Sequence, residues 1–78
     1  MYLILVYDIS VERVSKVLKV CRKYLTWVQN SVFEGEISES DLIKLRDELE
    51  QLIESSDSVT MYNLRKKEYR DYKKAKRV

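Results

Sequence analysis

The sequence predicts an α+β domain in which strands and helices come in the order β-α-β-β-α-β. Three observations carry that prediction. The chain opens on a short, unbroken apolar run. Two later stretches place apolar residues at three- and four-residue steps, the repeat of one helix face. With one Gly and no Pro in 78 residues, little of the chain is suited to long loops.

Tyr2, Leu3, Ile4, Leu5, Val6 and Tyr7 form the opening run. A short β-prone segment that is apolar throughout has both faces covered, which predicts a central strand. It stops abruptly at Asp8, and Ser10 suits the N-cap of a helix beginning just after it. Val11, Val14, Val17, Leu18, Cys21, Tyr24 and Leu25 mark one face of that first helix, with Arg13, Lys16, Lys19 and Lys23 on the other side. Residues 26–29 read as a short strand, Asn30 and Ser31 as a turn or bulge, and residues 32–37 as the next strand. Gly35, the only glycine, predicts a bulge or a close backbone approach. Ser38, Glu39, Ser40 and Asp41 resemble a capping box in which Asp41 replaces the usual Glu or Gln. Leu42, Leu45, Leu49, Leu52 and Ile53 then mark a second helix. Residues 54–57 end it, and residues 58–64 read as a last strand.

This order is the ferredoxin-like arrangement, two interleaved βαβ units in one antiparallel sheet. Right-handed crossovers place the first and third strands at the centre and both helices on one face. The opposite face is then open. The first strand is nonetheless apolar on both sides, so the open face predicts a partner chain, a twofold homodimer. Residues 1–64 make up the domain, and residues 65–78 form a basic C-terminal tail or a short extra element. Tyr69 and Tyr72 interleave with Lys and Arg there, a composition suited to nucleic-acid contact or to a solubilising tail.

Composition narrows the chemistry. The absence of histidine excludes Ser-His and Cys-His nucleophile pairs, imidazole bases and histidine zinc sites. A lone Cys21 excludes disulfides, CxxC redox chemistry and iron–sulfur clusters, and fits a reducing, cytoplasmic compartment. The opening apolar run is too short to span a membrane. Catalysis is left with a carboxylate, a hydroxyl or a hard metal ion. At 36% charged residues, the chain resembles heat-adapted proteins.

The net charge of +2 is unevenly spread. Residues 9–30 carry a net +4, residues 31–64 a net −7 and residues 65–78 a net +6. The basic blocks suit a phosphate backbone, with Arg13, Lys16, Lys19, Lys23, Arg65, Lys66, Lys67 and Arg70 as contacts. They equally suit a solvated helix face.

Asp8 is the leading candidate for chemistry. A carboxylate at a strand end is a natural ligand for Mg²⁺, which keeps several waters and needs only one or two carboxylates. One Asp per chain is a sparse site, and a twofold axis nearby brings a second copy. The alternative is an Asp that caps the turn before the helix. Phe33, Trp27 and Tyr24 read as core or dimer residues, Glu34 and Glu36 as a solvated strand face, and Cys21 as a small core residue.

The N-terminal run through Asp8, Ile9 and Ser10, the Arg13 helix, the hairpin at residues 27–36 and the strand at 57–64 together resemble the CRISPR-associated protein 2 family. The resemblance covers residues 1–64. It implies a ferredoxin-like homodimer acting as a Mg²⁺-dependent endonuclease on RNA or DNA, with Asp8 from each subunit as the metal ligand. It also implies site roles for Tyr7, Arg13, Ser31 and Phe33. In the spacer-acquisition step of antiviral defense, it implies an alternative role: a non-catalytic DNA scaffold bridging two dimers of the family-one integrase. Two departures accompany it. No Arg or Lys lies between Lys23 and Lys44, where some members carry a hairpin arginine. The basic tail also stands where many members have a fifth strand.

Overall fold

A computed structural model of the chain describes residues 1–65 and Glu68. It contains β1 (Tyr2–Asp8), α1 (Val11–Tyr24), β2 (Thr26–Gln29), β3 (Val32–Glu36), α2 (Glu39–Leu52) and β4 (Ser58–Leu64). All strand pairs are antiparallel, in the order β2-β3-β1-β4. The first and third strands are thus central, as chain order and crossover handedness require. Among the described residues, no helix is long and apolar enough to cross a membrane. The predicted tail, with Lys66, Lys67, Arg70, Tyr69 and Tyr72, lies outside the described residues except for Arg65 and Glu68.

The core follows from two periodicities. In β1 alternate side chains point to opposite faces, so Leu3 and Leu5 turn together toward the helices and are fully buried. Phe33 pairs with Leu5 and joins them. Val17 and Cys21 of α1, and Leu45 and Leu49 of α2, complete one cluster with Leu25 and Ile37. Both helices therefore lie on one sheet face. Burial there pushes the Cys21 thiol up to about 11. Val11 departs from expectation: it opens α1 and is exposed.

Helix ends were partly legible. Ser38 Oγ accepts from Asp41 N at 3.1 Å, the half of the capping box that stabilises the start of α2. Ser10 occupies the N-cap position of α1, but its side chain makes no cap bond. Its hydroxyl donates instead to Glu12 Oε2 at 3.3 Å, and its backbone N–H is taken by Asp57 Oδ1 at 3.0 Å.

Two further expectations are corrected. Gly35 pairs in register with Leu3 and marks no bulge; the register shift lies between Trp27 and Gln29 of β2. A Cβ at Gly35 would meet Leu25 Cδ2 at 3.6 Å, an ordinary contact. The tight turn into β3 is made by Asn30 with φ 40°, a left-handed geometry that asparagine tolerates better than most residues. Glu34 does not stand on a solvated face. It is 5% exposed and accepts the Tyr2 hydroxyl at 2.8 Å. Its cross-strand neighbours are Ile4 and Thr26. Glu36 is exposed as expected.

On the face away from the helices, β1 presents Tyr2, Ile4 and Val6, and β4 presents Tyr62, which pairs with Ile4. Val6 and Tyr62 are exposed.

Candidate functional site

The site is built around the C-terminal end of β1. Asp8 is the last residue of that strand, pairs with Ser58 of β4 and is exposed. Strand alternation places it on the same face as Tyr2, Ile4 and Val6. Its carboxylate makes no hydrogen bond or ion pair with any described residue. It therefore keeps all its acceptor capacity for a ligand.

Tyr7 points the other way. Its ring lies 6.0 Å from the Phe33 ring, tilted by 40°. Its backbone N–H donates to Ser31 O at 3.0 Å, and its hydroxyl donates to Asn30 O at 3.3 Å. Trp27 Nε1 donates to the same Asn30 oxygen at 3.0 Å, although Trp27 is 53% exposed and outside the core. Three sequence candidates, Tyr7, Ser31 and Phe33, thus meet behind the strand end. They lie on one side of β1, while Asp8 projects on the opposite side.

Arg13 lies in the first turn of α1 and is drawn into an acidic cluster. Nε donates to Asp57 Oδ2 at 2.6 Å and Nη2 to Asp57 Oδ1 at 3.0 Å, the fork geometry that suits a carboxylate. Nη1 lies 3.2 Å from Glu54 Oε2 and 3.5 Å from Glu12 Oε2. The Arg13 side chain is 17% exposed and that of Asp57 1%. The Asp57 hydrogen bond is the main cause that raises the Arg13 pKa further. Arg13, followed by the backbone N–H groups of Glu54 and Ser10, holds the Asp57 carboxyl well below the usual carboxylate range.

Sequence reasoning passed over Asp57, which read only as part of the stop after the second helix. No local signal marks it, because its partner is 44 residues away.

The remaining basic candidates fall into two groups. Lys16 and Lys19 are exposed on α1. Lys23 is paired with Glu48, which also accepts the Tyr24 hydroxyl. That acceptor pushes Tyr24 up to about 12, while Lys23 and Tyr24 together hold Glu48 down. Arg65 pairs with Glu68 at 3.1 Å.

Among the described residues no three His, Cys, Asp or Glu side chains converge. The donor chemistry at Asp8, one hard carboxylate open to water, fits a single ligand of Mg²⁺ and leaves the other positions to water or to a second chain. A groove of about 480 Å³ between α2 and β4, lined by Leu42, Leu49, Ile53, Val59 and Met61, carries none of these candidates.

Comparison with known proteins gives a consistent result. A family model described as CRISPR associated protein Cas2 matches residues 1–72. The chain is 49% identical over 70 residues to a protein of Methanosarcina acetivorans named CRISPR-associated endoribonuclease Cas2, covering 88% of this chain and 80% of the relative. It is 52% identical over 66 residues to the protein of the same name from Pyrococcus furiosus, covering 83% and 78%. The crystal structure of Streptococcus pyogenes Cas2 at pH 6.5 matches with a TM-score of 0.78 at 32% identity, covering 91% of this chain and 94% of that one.

Proposed function

The chain belongs to the CRISPR associated protein Cas2 family, and from that membership we propose that it is a Mg²⁺-dependent endonuclease of the CRISPR adaptation module, acting on single-stranded RNA as a twofold dimer. The observation that carries the reading is the Asp8 carboxylate: exposed, without a partner among the described residues, and at the end of a central strand. The apolar face of Ile4, Val6 and Tyr62 supports the dimer, because pairing that face with its twin removes exposed apolar surface from water. Asp8 shares this face, so a twofold axis near the end of β1 would give one metal a carboxylate from each subunit.

Bound Mg²⁺ would supply Lewis-acid stabilisation of charge on a scissile phosphate and a more acidic water. The chain's own residues do the rest. Asp8 holds the ion. Tyr7, Ser31 and Phe33 set the strand end from which it projects. Lys16 and Lys19, exposed on α1 across the sheet from Asp8, give a separate contact to phosphates that adds affinity without sequence preference. No imidazole is needed.

The exposed α1 lysines also favour a second reading, a DNA-binding scaffold for integrase dimers that needs no cleavage. The two separate on Asp8→Asn. The nuclease reading expects Mg²⁺-dependent cleavage of single-stranded RNA by purified protein to fall at least about 100-fold in the variant, equivalent to about 2.7 kcal/mol of barrier, while nucleic-acid binding persists. Equal cleavage by variant and wild type overturns it and leaves the scaffold.

A further inference from the structure

The Asp57 carboxylate is filled on both oxygens. Oδ1 accepts from Ser10 N at 3.0 Å and from Arg13 Nη2 at 3.0 Å. Oδ2 accepts from Arg13 Nε at 2.6 Å and from Glu54 N at 2.9 Å. One side chain therefore ties together the turn after β1, the first turn of α1 and the loop before β4.

Asp8 sits between two of these ties. Ser58, its partner across the β1–β4 ladder, comes directly after Asp57. Ser10, two residues beyond Asp8, is bonded to Asp57 itself. The exposed carboxylate has no bond of its own to a described residue, so its placement rests on the backbone that carries it, held on β4 through Ser58. Metal ligands work only when held within about half an ångström of the right geometry, by residues that never touch the ion.

We infer that Asp57, clasped by Arg13, is a positioning residue for the metal ligand Asp8, an inference that rests on the proposed role of Asp8. Asp57 is not a ligand itself, because its oxygens are filled and its side chain is 1% exposed. Arg13 acts in the same way. Its guanidinium is engaged by Asp57, Glu54, Glu12 and Ser56 rather than turned to a phosphate. The resemblance that implies a site role for Arg13 is thereby given a physical content different from phosphate contact.

The test measures Mn²⁺ binding to the full chain, by loss of the free-ion electron paramagnetic resonance signal, at a temperature where circular dichroism shows every variant folded. The variants are Asp8→Asn, Asp57→Asn and Arg13→Lys. The expected result is binding by wild type, its loss in Asp8→Asn, a weakening of about 10- to 100-fold in Asp57→Asn, and a smaller weakening in Arg13→Lys. A clamp that only stabilises the fold lowers the melting temperature of the last two and leaves their Mn²⁺ affinity unchanged, and that result overturns the inference while Asp8 stands. Wild-type affinity in Asp8→Asn, or no binding by wild type, overturns the Asp8 reading and the inference with it. Should Asp57→Asn not fold, Arg13→Lys decides alone, since it keeps Asp57 and both backbone donors. Unchanged affinity there overturns the inference.

Discussion

Arg13 donates to both carboxylate oxygens of Asp57, at 2.6 Å from Nε and 3.0 Å from Nη2, across 44 residues of chain. This pair joins the start of α1 to the loop before β4. It also places an ionised acid where almost no water reaches it.

That acid makes stability depend on pH with a definite sign. Asp57 has a folded pKa below its ordinary value of 3.8. Its contribution is therefore fully present above that value and is lost as pH falls through it toward the folded value, because the unfolded chain takes up the proton first. The melting temperature of the wild type is expected to fall on acidification below about pH 4. Asp57→Asn is expected to melt lower at pH 7 and to show a shallower fall over the acid window. Parallel melting curves against pH check this by calorimetry.

The open face gives a prediction about association. Val6 is exposed and stands between Val32 of β3 and Thr60 of β4, so Val6→Lys leaves the core intact but puts a charge into the proposed dimer contact. Sedimentation equilibrium is expected to show dissociation at least about tenfold easier than for wild type, since an unpaired charge in an apolar contact is costly. Unchanged association would place the contact elsewhere.

The α1 lysines predict a salt effect. Lys16 and Lys19 are exposed and lie outside every ion pair formed among the described residues. Replacing both with Ala is expected to reduce the slope of log K against log salt for single-stranded RNA by about 1.4, from about 0.7 per lost phosphate contact. Binding measured by fluorescence anisotropy at three or more salt concentrations gives that slope.

Phe33 is fully buried against Leu5 and the Tyr7 ring. Phe33→Ala is expected to cost about 3–5 kcal/mol of unfolding free energy, the usual loss for an aromatic removed from a core. Urea denaturation reads it. For a chain of this size that is a large share of total stability.

Cys21 is buried in α1 with its thiol pushed up to about 11. A thiol reagent at pH 8 is expected to leave the native protein unlabelled and to label it on denaturation, as an absorbance assay shows.

Much of the fold was legible because its signals are local. A continuous apolar run, a stripe at helical spacing and a Ser three residues before an acid each depend on neighbours in sequence. Such signals placed β1, α1, β2, β3, α2 and β4 and the start of α2 at Ser38. Chain order with crossover handedness then put β1 and β3 at the centre. Asp8 stood out for the same reason, as a charge ending an apolar strand.

The sequence by itself therefore determined the order of the elements, the face each helix buries and the position of Asp8 at a strand end. Tertiary structure alone decided which polar groups meet. Glu34 looked solvated until Tyr2, 32 residues earlier, closed over it with a hydroxyl. Ser10 looked like a side-chain cap, but its hydroxyl turns to Glu12 and its backbone N–H to Asp57. Arg13 looked free for phosphate until the same carboxylate engaged its fork. Hydrophobic patterning is periodic and repeats within a few residues, so it can be read along the chain. A hydrogen bond between distant side chains depends on an approach of a few ångströms that only the folded backbone creates.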